Sequence, residues 1–127
     1  MDLVDLCYCG SNRKFESCCE SYILKREKAP TAEALMRSRY SAYATHHANY
    51  LLETTHISTR NQHEVADILD WSKSNNWIKL EVLNSSYDHV EFKAYYTDDS
   101  LQPHVHHEKS AFAQEDGYWF YVDGEFF

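Results

Sequence analysis

Glycine and proline are scarce, three and two among 127 residues. That composition excludes long flexible or polyproline linkers. No run of about 18 apolar residues exists, so no segment is expected to span a bilayer. The start, Met1 to Leu6, is acidic and its apolar run is short. It lacks the basic opening and long apolar stretch of a secretory signal, and the expected compartment is the cytoplasm. Positive charge is also short. Twelve Lys and Arg against twenty Asp and Glu leave a formal net charge of −8. Such a chain repels nucleic-acid phosphates on average, which disfavours DNA or RNA as partners without a local basic patch. The best such patch gathers Lys25, Arg26 and Lys28 ahead of Arg37 and Arg39, and a solvated helix face is its favoured reading.

Aromatic residues are abundant: ten tyrosines, six phenylalanines and three tryptophans. The length fits one ordinary domain with its own core. Three stretches differ in character. Residues 1–22 hold every cysteine. Residues 31–75 carry helical spacing, with Thr31 as N-cap and Leu35, Met36, Tyr40, Tyr43 and Ala44 recurring on one side. A second helical piece follows from Ala48 to Leu52, the polar run Thr54 to Asn61 interrupts it, and a further helix is expected over 61–73. From Trp77 the apolar period changes to two. Ile78, Leu80 and Val82 are expected on one face of a first strand. Val90, Phe92, Ala94 and Tyr96 share a face of the second. A third strand runs over 105–114, and Glu115-Asp116-Gly117 signals a hairpin into a fourth. Helices followed by a strand meander give an α+β fold, with helices covering one face of a curved antiparallel sheet.

All four cysteines, Cys7, Cys9, Cys18 and Cys19, fall within thirteen residues. Adjacent cysteines do not readily pair with each other, because the ring is strained. In a reducing compartment, clustered thiols point to metal. Four thiolates suit one structural zinc and leave no open position for catalysis. An iron–sulfur cluster is the alternative four-thiolate reading. Gly10 provides a sharp turn between the two pairs, and Phe15 is placed to cap the site against the main body.

Cys7-x-Cys9-Gly10-Ser11 followed by Cys18-Cys19 resembles the SEC-C motif, named for the C-terminus of the SecA translocation ATPase. The resemblance implies zinc held by these four cysteines, and by analogy docking of a protein partner. Leu35-Met36-Arg37-Ser38-Arg39-Tyr40-Ser41-Ala42-Tyr43 and Trp119-Phe120-Tyr121-Val122-Asp123-Gly124 resemble segments of the bacterial YchJ family. That likeness covers nearly the whole chain. It implies a small zinc knob over 1–22 and a nuclear transport factor 2-like (cystatin-like) cone over 31–127. The cone would pack its helices on a bent antiparallel sheet of about four strands. Some relatives carry a second SEC-C motif at the C-terminus. This sequence ends at Phe127 without one, so a function requiring two zinc modules is not expected.

Other polar groups are weaker candidates. His104, His106 and Glu108 fall on one strand face within reach of a metal, but an ordinary polar strand face is the favoured reading. Arg37, Tyr40, His56, Glu108, Ser110 and Trp119 are candidates to line a pocket between helices and sheet. No catalytic spacing and no phosphate-binding glycine loop is legible. The leading expectation is therefore a non-enzymatic module that engages a protein through its zinc knob. The alternatives are a small-molecule binder or enzyme using the cone cavity, and a ribosome or nucleic-acid contact through the knob.

Overall fold

The computed structural model describes residues 6–127, so the acidic start over 1–5 lies outside the described residues. A short hairpin opens the structure, with Leu6 bridging Lys14 and the Cys7 amide donating to the Arg13 carbonyl at 2.7 Å. Gly10, at φ +82°, and Asn12, at φ 65°, turn the chain between them. A 3-10 turn, Phe15–Ser17, leads into helix α1, Cys19–Ile23.

Helix α2, Ala32–Thr45, is the long central helix. Thr31 caps it as expected, its hydroxyl accepting from the Ala34 amide at 3.0 Å, with Glu33 in the first turn. It stops at His46, which adopts the left-handed conformation at φ 66°. Helix α3, Ala48–Glu53, follows at once. The polar run after it is not merely a break. Thr55 bridges Tyr121, the His56 amide donates to the Tyr121 carbonyl, and a single helical turn, α4, Ile57–Arg60, follows. Helix α5 is Val65–Ser74, shorter at its start than its spacing implied.

Four strands then form one antiparallel meander in sequence order: β1 Asn76–Ser85, β2 His89–Thr97, β3 Pro103–Glu115 and β4 Tyr118–Phe126. The β3–β4 loop is Asp116-Gly117 with both φ values positive, at 54° and 82°, the two-residue hairpin its sequence signalled. This is the α+β architecture expected, with helices against one face of the sheet.

Bulges set which side chains face inward. Trp77 pairs with Tyr96 and Lys79 with Tyr95, so Ile78 is an extra residue on β1. The apolar period predicts Ile78 on the face of Leu80 and Val82; it is instead 56% exposed. The extra residue shifts the alternation by one, and Trp77 turns inward in its place. A second irregularity, at Val122 on β4, keeps Trp119 and Tyr121 on one face and brings Gly124 and Phe126 onto it after the bulge, leaving Asp123 exposed.

The core is continuous with the cysteine segment. Cys7, Cys9, Cys18 and Cys19 pack in the same buried cluster as Leu35, Met36, Leu51, Val90 and Phe112, with Phe15 partly buried against it. Among the described residues, no helix is long and apolar enough to cross a membrane.

Candidate functional site

Two places bring chemistry-bearing groups together. In the first, the four cysteines meet. The hairpin supplies Cys7 and Cys9, and the junction of the 3-10 turn with α1 supplies Cys18 and Cys19. Their sulfurs all lie within 4.8 Å of one another, and all four residues are buried and free of disulfides. Cys9 Sγ and Cys18 Sγ are 3.8 Å apart. A tetrahedron with metal–sulfur bonds of about 2.3 Å has edges of about 3.8 Å, so the set has the size of a single-ion cage. Around it, Ser11 Oγ lies 3.2 Å from Cys18 Sγ and Ser41 Oγ 3.5 Å from Cys7 Sγ. Such hydroxyls donate to thiolate sulfur and help hold the ligands' orientation. Within the cluster, the contact from Cys19, then that from Cys9, holds the Cys7 thiol far below its ordinary range. The same Cys7 contact pushes Cys19 far up, while burial raises Cys18.

The second place is a cavity of about 300 Å³ between α2, α5 and the inner face of the sheet. Its walls are mostly aromatic: Tyr40 and Tyr43 from α2, Trp71 from α5, Trp77 from β1, Phe92 from β2 and Tyr121 from β4. The Ile78 bulge is what gives it the Trp77 ring, which lies 5.5 Å from Tyr43 and 6.1 Å from Tyr40 between centroids.

Glu108 is the buried charge of this cavity, only 5% exposed. Its Oε1 accepts from His106 Nε2 at 2.6 Å, and its Oε2 accepts from Ser110 Oγ and Tyr121 OH, both at 2.8 Å. Burial pushes the carboxyl up, but those three hydrogen bonds and the His106 ring together outweigh it. The net result is an ionised carboxylate held below the ordinary glutamate range. Burial, followed by the charge of Glu108, pushes the Tyr121 phenol far up, so it stays a donor. The Arg39 guanidinium sits 4.6 Å from the Tyr121 ring centre and donates to the Leu51 carbonyl and Thr54 Oγ1. Tyr40 differs from Tyr121. Burial alone raises its phenol, and among the described residues neither its hydroxyl nor that of Tyr43 has a protein hydrogen-bond partner.

Of the six pocket candidates, the structure brings Tyr40, Glu108 and Ser110 to this cavity and leaves three elsewhere. Arg37 faces the cysteine segment. Its Nη1 donates to the Cys9 carbonyl at 2.6 Å and its Nε to Glu33 Oε2 at 3.0 Å. Successive helical positions turn by about 100°, so Arg37 and Arg39 diverge, and Arg39 is the arginine of the cavity. His56 lies against Glu115 and Phe120 near the β3–β4 hairpin. Trp119 is buried but lines a different groove, beside α1 and α3. His104 pairs with Asp98 and not with Glu108. Gly124 is a site residue the sequence reading did not single out. A Cβ there would lie 2.7 Å from Glu108 Cδ and closer still to Oε2. It ends the Trp119–Gly124 segment, but only the Val122 bulge places it under Glu108.

A model of the YchJ middle, nuclear transport factor 2-like domain matches residues 31–124, and a SEC-C motif model matches residues 5–21. The chain belongs to the YchJ-like family. A UPF0225 protein of Streptomyces coelicolor is 42% identical, with 94% of each chain covered. One from Photorhabdus laumondii is 37% identical over 96% of this chain and 81% of its own. The solution structure of a SEC-C motif containing protein from Rhodopseudomonas palustris superimposes with a TM-score of 0.86. Its identity is 32%, covering 94% of this YchJ-like chain and 97% of that one. A crystal structure of a SEC-C motif containing protein from Psychrobacter arcticus gives 0.76 at 28% identity, over 94% and 81%.

Proposed function

We propose that this YchJ-like chain is a small-molecule-binding protein, shaped as a cone around its cavity and held together by one structural zinc ion. The observation that carries the reading is the buried carboxylate of Glu108 in a chamber whose walls are largely aromatic. A space needed only for packing would be closed by apolar atoms at crystal-like density. This one, at about 300 Å³, falls at the small end of ordinary ligand pockets. Beside its fixed charge it is lined by Tyr40 and Tyr43, whose hydroxyls have no protein hydrogen-bond partner among the described residues. A compact aromatic molecule with one polar end fits those walls and that end group.

The zinc part of the reading rests on the donors. Four thiolates complete a tetrahedral shell, so the ion supports structure and binds no substrate. All four sulfurs within 4.8 Å suit one ion, whereas a multi-iron cluster spreads its cysteines around a larger body. The cysteines lie in the common core, which makes them a brace for the cone more than a detached docking knob.

The cavity is tested by titrating small aromatic compounds while following tryptophan emission, since Trp71 and Trp77 both line it. Saturable changes in the wild type, abolished in Ala94→Leu, are expected, because Ala94 lines the wall and leucine fills the space. A panel that leaves emission and melting temperature unmoved, or an Ala94→Leu protein that binds as well, sinks the reading. One observation favours turnover as a second reading. His106 hydrogen-bonded to a buried carboxylate is the arrangement of a positioned general base. Mass spectrometry of the same incubations separates the two: a product that disappears in His106→Gln makes the protein an enzyme.

A further inference from the structure

The cavity holds two opposite charges that do not neutralise each other. Counting histidine as neutral, Arg39 and Glu108 are the only charged residues among those that line it. The Tyr121 phenol stands between them. The guanidinium lies 4.6 Å from its ring centre, and its hydroxyl donates to Glu108 Oε2 at 2.8 Å. Among the described residues, no ion pair joins Arg39 to Glu108 or to any other carboxylate.

Both charged groups keep unused capacity. Arg39 donates through Nη1, to the Leu51 carbonyl and Thr54 Oγ1, and its Nε and Nη2 have no acceptor among the described residues. Glu108 Oε2 accepts from Ser110 and Tyr121, whereas Oε1 accepts from His106 alone and has a lone pair to spare. The unpartnered hydroxyls of Tyr40 and Tyr43 are open to an occupant, unlike the sealed and unpaired Nε1 of Trp119. A cation alone would answer Glu108 and leave Arg39 unanswered one phenol away, and an anion alone would do the reverse. Either would also give the enclosed space a net charge. A wholly apolar occupant would strip water from both ions and replace it with nothing. A molecule carrying both charges answers both groups and keeps the sum at zero.

We propose, resting on the small-molecule reading of this cavity, that its ligand is a free α-amino acid with an aromatic side chain. The ammonium would lie on Glu108 Oε1 and the carboxylate on the free edge of Arg39. The ring would enter the corner where Trp77 has Tyr43, Tyr40 and Trp71 around it at 5.5, 6.1 and 6.2 Å between centroids. Such walls favour an aromatic guest through edge-to-face and offset contacts. The head group is that of a free amino acid, because a peptide places its ammonium and its carboxylate on different residues. A single phenol separating Arg39 from Glu108 matches the scale of one head group.

Isothermal titration calorimetry of the full chain tests it at about pH 8, where histidine is ordinarily neutral. The ligands are L-phenylalanine, phenethylamine without the carboxylate, 3-phenylpropionate without the ammonium, 2-phenylethanol without either charge, and L-leucine without the ring. L-Phenylalanine is expected to bind at least about tenfold tighter than each of the others. In Arg39→Gln its advantage over phenethylamine is expected to fall toward one. In Glu108→Gln its advantage over 3-phenylpropionate is expected to fall in the same way. Each ratio is taken within one protein, so a general loosening of the fold does not move it, and the wild-type series decides even if a variant fails to fold. Phenethylamine, 3-phenylpropionate or L-leucine binding as tightly as L-phenylalanine overturns the proposal, and so do ratios unmoved by the substitutions. 2-Phenylethanol binding as tightly overturns it too, while leaving the cavity a small-molecule site. No binding by any of the five also overturns it, and the wider aromatic panel then judges the cavity by itself.

Discussion

Glu108 concentrates the chemistry of the cavity at one residue. Its carboxylate is buried, ionised and held by three donors, and its folded-state pKa lies below the ordinary value of 4.5. The unfolded chain therefore takes up the proton at higher pH than the native protein does. The resulting stabilisation is fully present above about pH 4.5 and is lost as pH falls below it, through the depressed folded value. Urea denaturation of wild type and Glu108→Gln between pH 3 and 6 is expected to show the gap between them narrowing toward the acid end. At neutral pH the glutamine variant is expected to be about 1–3 kcal/mol less stable, because one amide oxygen cannot satisfy three donors. A gap that does not change with pH removes the ionised carboxylate from this account. Gly124→Ala gives a second residue-scale expectation. The new methyl collides with Glu108 Cδ, so the side chain must leave its donors. A loss of comparable size, together with loss of cavity ligand binding, is expected; unaltered stability would show that Glu108 tolerates another position.

Helix α2 is the element on which the two sites meet. One side carries Arg37 and Ser41 toward the cysteine segment. Another carries Met36, Arg39, Tyr40 and Tyr43 to the cavity wall. Arg37→Ala removes the donor on the Cys9 carbonyl and leaves the four sulfurs untouched. Chelator extraction of the ion, followed with a colorimetric indicator, is expected to become several-fold faster while ligand titration at the cavity changes little. An extraction rate equal to wild type would mean that Arg37 contributes no clamp. Strand β1 shows how far an element can be read in advance. Its apolar period is plain in Leu80 and Val82, and the helix start at Thr31 follows from hydroxyl chemistry alone. The inward turn of Trp77 is not legible, because a bulge arises from pairing with β2 and leaves no fixed residue signature. The Val122 bulge hid the role of Gly124 for the same reason.

At the scale of the molecule, the cysteine segment shares one core with the cone. Removal of the proposed zinc ion is therefore expected to do more than melt residues 6–22. Hydrogen exchange after chelation under reducing conditions should rise across the cysteine hairpin, α1 and the first turns of α2. The β2–β3 pairing should stay protected, because its contacts lie within the sheet. Exchange confined to the cysteine hairpin would make the segment an independent module; exchange through the whole sheet would make the ion essential to the fold.

The sequence alone determined the helix-then-strand order, the hairpin at Asp116-Gly117, the four clustered thiols and the family. Each of these is written in local chemistry: a spacing, a turn residue, a motif. Tyr40, Glu108 and Ser110 are legible as pocket candidates because polar groups lie beside core-facing ones in their elements. Tertiary structure decided what local chemistry does not encode. It placed Arg37 on the Cys9 carbonyl, put Arg39 in its stead at the cavity, and carried Trp119 to a separate groove with its N–H unpaired. The physical reason is that a side chain's facing depends on the element's register against its neighbours. A single extra residue in a strand, or two positions along a helix, redirects it while the sequence pattern looks unchanged.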